Sequence, residues 1–157
     1  MLHLPLKGSK DVDLAQALFR FVENTYSNAQ ATEHRQAFAE LHQLRERVQK
    51  LTLTEKGADD AVRVLASYYR QITTMRSRFG SAVDEPDSQI EFKWRDAFRP
   101  QEKCGQHSVQ FERASVLFNL AAALSFMGSQ QKRTDADGLR TACQVRRSVG
   151  PVRARPA

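Results

Sequence analysis

The chain of 157 residues has few of the residue types that carry chemistry or covalent cross-links: two cysteines, seven glycines, five prolines and one tryptophan. Cys104 and Cys143 lie far apart, with no C-x-x-C and no zinc-ligand spacing. A disulfide framework is therefore not expected, and a reduced, cytoplasmic chain fits better. The glycines form no phosphate-cradling loop, and no G-K-[ST] occurs. His3, His34, His42 and His107 make no H-E-x-x-H or other ligand spacing. His34 and His42 fall near the polar edge of a predicted helix and read as solvated. No Ser or Cys sits in a nucleophile-elbow context. Cys143 precedes Arg146 and Arg147, but a cysteine-phosphatase loop needs its Arg six positions on, where this chain has Val149. These absences point to a protein that is not an enzyme, with no catalytic residue, metal or cofactor expected. Long apolar runs are missing too. Ala114–Met127 is interrupted by Ser115, Asn119 and Ser125 and is shorter than the roughly 20 residues a membrane span requires. The start, MLHLPLKGSK, has no charged-then-apolar signal pattern, and Leu2 excludes N-myristoylation.

What is present is an ordinary soluble composition, 41% apolar and 27% charged, with a net charge of +6. The excess is local. Residues 145–157 contribute Arg146, Arg147, Arg153 and Arg155 and no acid, and the remainder holds 20 basic against 18 acidic residues. Aromatic residues are not interleaved with these arginines, so no base-stacking platform is expected and nucleic acid is not an expected partner. At most the arginines imply weak, sequence-independent contact with an acidic membrane surface.

Periodicity places helices along most of the chain. Leu2, Leu4 and Leu6 alternate with His3 and Pro5, predicting a short edge strand. Asp11 or Asp13 can cap a first helix, with Leu14, Leu18, Phe21 and Val22 on one face and Ser27-Asn28 at its end. Thr32 is the expected cap of a second helix with the stripe Phe38, Leu41, Leu44, Val48 and Leu51. Ala61, Leu65, Tyr68, Ile72, Met75 and Phe79, spaced 4, 3, 4, 3, 4, predict a third helix packed antiparallel on the second across the turn Thr52–Gly57. Gly80 ends it, and a polar loop around Pro86 follows. Ile90, Phe92 and Trp94 alternate with charged residues and predict a strand, expected to pair with the N-terminal one. Arg99–Gln106 reads as a loop. A fourth helix over Phe111–Met127 is apolar nearly all round, which predicts burial on all faces. Asn119 in its middle must then find hydrogen-bond partners, as a structural polar link. Asp135–Gln144 looks like the start of a fifth helix, and the pattern then breaks into a basic stretch expected to be disordered.

Four segments in this order resemble the BRO1 domain family: Leu4-Pro5-Leu6-Lys7; Ser67-Tyr68-Tyr69-Arg70-Gln71-Ile72; Phe92-Lys93-Trp94-Arg95-Asp96-Ala97-Phe98; and, most specifically, Phe111-Glu112-Arg113-Ala114-Ser115-Val116-Leu117-Phe118-Asn119. Trp94, Asp96, Phe98, Glu112, Phe118 and Asn119 carry the signature. The Trp94 segment and the opening strand most resemble ALIX-like members. The resemblance covers residues 1–144 and implies a mostly α fold: short N-terminal β-strands, then packed helical hairpins of a partial, TPR-like helical solenoid. It implies a non-enzymatic scaffold of the endosomal sorting (ESCRT) pathway, cytoplasmic and recruited to endosomes. Its complete domain would bind the C-terminal helix of an ESCRT-III subunit in a groove with an acidic rim. That rim falls near Asp135, Asp137 and Leu139. Ala136 stands where several members have an acid, and both aspartates equally suit a helix N-terminus. The family's apolar groove residues come from helices after residue 144, where this sequence turns basic. The expectation is therefore an incomplete domain (1–144) with a divergent tail (145–157), and an α-helix over Phe111–Met127 left partly uncovered. The alternatives are the same domain in a phosphatase-linked or Rho-binding relative, and a free-standing helical protein whose basic tail binds acidic membrane surfaces.

Overall fold

The chain enters its first helix at Asp13, whose carboxylate accepts from the Gln16 amide at 3.0 Å. That bond satisfies one of the donors every helix start leaves free. The computed structural model describes residues 3–130, Arg140 and Gln144. They contain five helices, α1 (Leu14–Thr25), α2 (Asn28–Glu33), α3 (Arg35–Gln49), α4 (Ala58–Phe79) and α5 (Val109–Gln130). Two short strands, β1 (Phe92–Arg95) and β2 (Lys103–Gln106), lie between α4 and α5. The fold is mostly α with a small sheet, as the periodicity and the resemblance imply.

Leu14, Leu18, Phe21 and Val22 are buried together on α1. The first helix ends just before Ser27-Asn28, as expected, and Ser27 opens the next one. In an extended conformation, its hydroxyl accepts from the Gln30 amide and caps the short α2. Thr32 therefore lies inside α2 and caps nothing, and α3 starts after His34 without a side-chain cap. The buried stripe of α3 is Phe38, Leu41, Arg45 and Val48, while Leu44 and Leu51 pack against the core from its edge. An arginine thus occupies the place in the stripe that the sequence pattern assigned to Leu44.

Helix α4 buries Ala61, Leu65, Tyr68, Ile72 and Met75, with Phe79 partly covered. It lies between α3 and α5, and α1 packs on α3. The Arg47–Asp60 pair at 3.5 Å joins the end of α3 to the start of α4, as an antiparallel hairpin requires. Gly80 closes α4 with φ of +64°, a conformation that suits a residue without Cβ. The expected loop around Pro86 is instead two 3-10 turns, Gly80–Asp84 and Pro86–Ser88, anchored by buried Val83 and Ser88.

The sheet differs from expectation in its partner. β1 pairs antiparallel with β2, Trp94 opposite Cys104 and Arg95 opposite Lys103, so the expected loop Arg99–Gln106 contains a strand. The N-terminal segment reaches the other edge of β1 only through Ser9 opposite Trp94, with Lys10 N–H donating to Lys93 and Arg95 N–H to Gly8. The described part of the expected Leu2–Leu6 strand, residues 3–6, is not a strand. Pro5 lacks a donor, and the two main-chain groups of Lys7 are taken by a side chain of α5, so ladder pairing begins only beyond them.

Helix α5 is not buried on all faces. Glu112, Ser115, Val116, Asn119, Ala122, Ala123 and Phe126 are covered, whereas Leu117 is 37% exposed and Phe118, Ala121 and Leu124 are half-buried. Of the expected fifth helix over Asp135–Gln144 only Arg140 and Gln144 are described, both helical; Asp135, Asp137 and Leu139 lie outside the described residues, as do Arg146, Arg147, Arg153 and Arg155.

Candidate functional site

The chemically dense part of the molecule is a polar cluster in the core, where α3, α4, α5, β1 and the N-terminal segment meet. Glu112, on the first turn of α5, is fully buried. Its Oε1 lies 2.7 Å from Arg45 Nε, off the direction of that N–H, and accepts from the Tyr68 hydroxyl at 2.9 Å. Its Oε2 accepts from the Trp94 indole N–H. Arg45 also donates to Ser9 Oγ at 3.0 Å and toward the Lys10 carbonyl at 3.4 Å, and its guanidinium sits 5.3 Å from the Trp94 ring centroid. One carboxylate and one guanidinium therefore tie together five segments of the chain.

The electrostatics follow from burial. Loss of solvent raises the Glu112 carboxyl above its ordinary value, opposed by Arg45 and by the Trp94 and Tyr68 hydrogen bonds. Burial, reinforced by the Glu112 charge, pushes the Tyr68 hydroxyl well above its usual range. Both groups are held in place and sealed from solvent, so no substrate can reach them. Their chemical capacity is to fix the register of the packed elements. Separating such a buried pair leaves an uncompensated charge at a cost of about 3–5 kcal/mol.

Asn119, two turns further along α5, is buried and makes a reciprocal pair with the Lys7 backbone. Its Oδ1 accepts from Lys7 N–H at 2.7 Å and its Nδ2 donates to Lys7 O at 3.0 Å. An amide thus imitates a strand neighbour for one residue, and the Leu4-Pro5-Leu6-Lys7 segment is pinned to α5. The Lys7 ammonium lies 5.8 Å from the half-buried Phe118 ring. Asp96 holds the β1–β2 turn: its Oδ1 accepts from the amides of Arg99 at 2.8 Å and Phe98 at 2.9 Å, which lowers its carboxyl pKa. Phe98 itself is 67% exposed on that turn.

The sequence-predicted residues therefore separate. Trp94 and Glu112 touch each other, Asn119 and Phe118 lie along the same helix against Lys7, and Asp96 and Phe98 form a surface turn. Sequence reasoning missed Arg45 and placed Tyr68 only among core residues. The available signal was the spacing of Phe38, Leu41, Arg45 and Val48, which keeps the helical period with a cation in one place. His42, expected to be solvated, is half-buried with its Nδ1 covered and unpartnered. Among the described residues no three His, Cys, Asp or Glu side chains converge as a metal site, and no helix is long and apolar enough to cross a membrane.

Comparison with known proteins points in one direction. Residues 1–148 match the BRO1-like domain. The chain is 31% identical over 143 residues to ALG-2 interacting protein X of Dictyostelium discoideum, covering 91% of this chain and 17% of that protein. It is 34% identical over 142 residues to vacuolar protein-sorting protein bro-1 of Neurospora crassa, covering 90% of this chain and 13% of that protein. The solved ALIX BRO1–CHMP4C complex contains a similar fold, with a TM-score of 0.77 and 27% identity over 92% of this chain and 42% of the matched chain. The chain thus spans about a sixth of the length of such curated relatives. With a family match over nearly its whole length and the same helical fold, the chain belongs to the BRO1-like domain family.

Proposed function

We propose that this chain acts as part of a non-enzymatic adaptor of endosomal sorting, in which the BRO1 domain captures the amphipathic C-terminal helix of an ESCRT-III subunit. The observation that carries this is the likeness of fold to a BRO1 domain solved with CHMP4C, over 92% of the chain. Vacuolar protein-sorting relatives support the pathway, and recruitment from the cytoplasm to endosomes follows from the same reading. The half-open apolar side of α5, with Leu117, Phe118 and Leu124, fits a helical solenoid in which each layer is covered by the next. Asp135, Asp137 and Leu139 are the proposed contact residues, with the aspartates facing basic groups of the partner helix.

The test is isothermal calorimetry with a C-terminal peptide of an ESCRT-III subunit. Residues 1–157 alone should bind at least tenfold more weakly than a chimaera that continues residue 144 with the remaining BRO1 domain of the Dictyostelium relative. In the chimaera Asp137→Lys should weaken binding. A chimaera that folds and does not bind overturns the proposal.

A further inference from the structure

A groove of about 300 Å³ opens between α3 and α4. Its accessible apolar lining is Ala37 of α3 and half-buried Phe79 of α4, backed by Leu18, Phe38 and Met75, which their own neighbours cover. Its rim is basic. Arg70 and Arg78 project from α4, and His34 stands at the start of α3. No acidic residue lines it.

Like Arg20, Arg35, Arg63 and Arg95, the two arginines form no ion pair among the described residues. Arg76 of the same helix is paired with Asp84 at 2.7 Å, Arg47 with Asp60 and Arg99 with Glu102. Among the described residues neither Arg70 nor Arg78 has a carboxylate partner, and both are exposed. A cation near the end of α4 favours the helix dipole, which accounts for Arg78 but not for Arg70, more than two turns from that end. Eight residues of helix separate the two guanidinium-bearing positions by about 12 Å. A cavity of this volume accepts one large apolar side chain, and the rim then selects charge on both sides of it.

We propose that this groove docks an acidic segment of a partner protein, with one Leu, Phe or Trp side chain against Ala37 and Phe79 and carboxylates about 12 Å apart reaching Arg70 and Arg78. The charge complementarity decides the occupant: a basic or neutral segment would leave both guanidinium groups unanswered beside a desolvated surface.

The probe is an array of 12-residue peptides, each with one central Leu, Phe or Trp. Glu flanks stand three, four, seven or eight positions apart, and a matched set carries Lys instead. The 157-residue chain should bind a subset of the Glu peptides and none of the Lys peptides. Amide shifts should be perturbed at Ala37, Gln71 and Thr74. Arg70→Glu/Arg78→Glu should weaken the best peptide at least tenfold, and Thr74→Trp, at the exposed rim, should block it. Unchanged circular dichroism and melting would show that these surface variants fold. Absence of any binding up to millimolar peptide, equal binding of the Lys set, or binding that survives the double reversal overturns the proposal. So do shifts centred on the other basic surface, around Lys10, Lys93 and Lys103.

Discussion

The two sides of α5 differ in how they combine polar and apolar residues. Its covered side sets Glu112, Ser115 and Asn119 among Val109, Val116, Ala122, Ala123 and Phe126, and its half-open side carries Leu117, Phe118, Ala121 and Leu124. Each covered polar group with a fixed role has its partners: Glu112 meets Arg45, Tyr68 and Trp94, and Asn119 meets both main-chain groups of Lys7. The covered side gains its specificity from directional bonds, whereas the open side has only non-directional surface to offer to a further layer. In a solenoid that division makes sense, because a layer's inner contacts set its register and its outer contacts accept the next repeat.

The largest way to break the contrast is at Glu112. Glu112→Ala should destabilise the chain by about 3–5 kcal/mol, because Arg45 is left buried and unpaired. Arg45→Met combined with Glu112→Ala should recover much of that loss, and denaturant unfolding of the double-mutant cycle measures the coupling. The pH profile sharpens the same point. Burial raises the Glu112 carboxyl in the folded chain, so the folded state holds that proton to higher pH than the unfolded state. Its contribution is complete below the ordinary carboxylate pKa and is lost as pH rises through the raised value. Glu112→Gln should flatten that part of the stability curve.

A smaller effect is expected at Asn119. Asn119→Leu keeps the volume but strands the Lys7 N–H and C=O, at a cost of about 1–3 kcal/mol. Hydrogen exchange should show faster exchange of the Lys7 amide before any change in the α3–α4 hairpin. Equal acceleration throughout would show that Asn119 supports the whole core rather than one segment.

The smallest effect is expected on the open side. Leu117→Ser should change stability by no more than about 0.5 kcal/mol in this chain. It should cost clearly more in a chimaera carrying the next helices of the domain. Equal, small effects in both contexts would show that this side of α5 is not an inter-layer surface.

Much of the helical plan was legible from local pattern. The stripes of α1 and α4 and the β1 alternation follow from periods of 3.6 and 2, which are properties of the backbone. Asn119 was legible as a polar residue in need of partners. The Thr32 cap and the N-terminal strand are misread for different reasons, one local and one long-range. Ser27 competes with Thr32 for the same stretch, and Lys7 prefers a side chain more than a hundred positions away to a strand neighbour.

Sequence alone determined the amphipathic helices, an aspartate cap at Asp11 or Asp13, the stop at Gly80 and the family signature, because each depends on neighbours within a few turns. Only the tertiary structure decided which cation meets Glu112, which edge of β1 takes which partner, and which side of α5 is covered. An α5 with apolar residues all round offers no moment to orient it. Its orientation is set by where Arg45, Tyr68, Trp94 and Lys7 arrive from the rest of the chain, since a buried charge or amide tolerates only the rotation that pairs it.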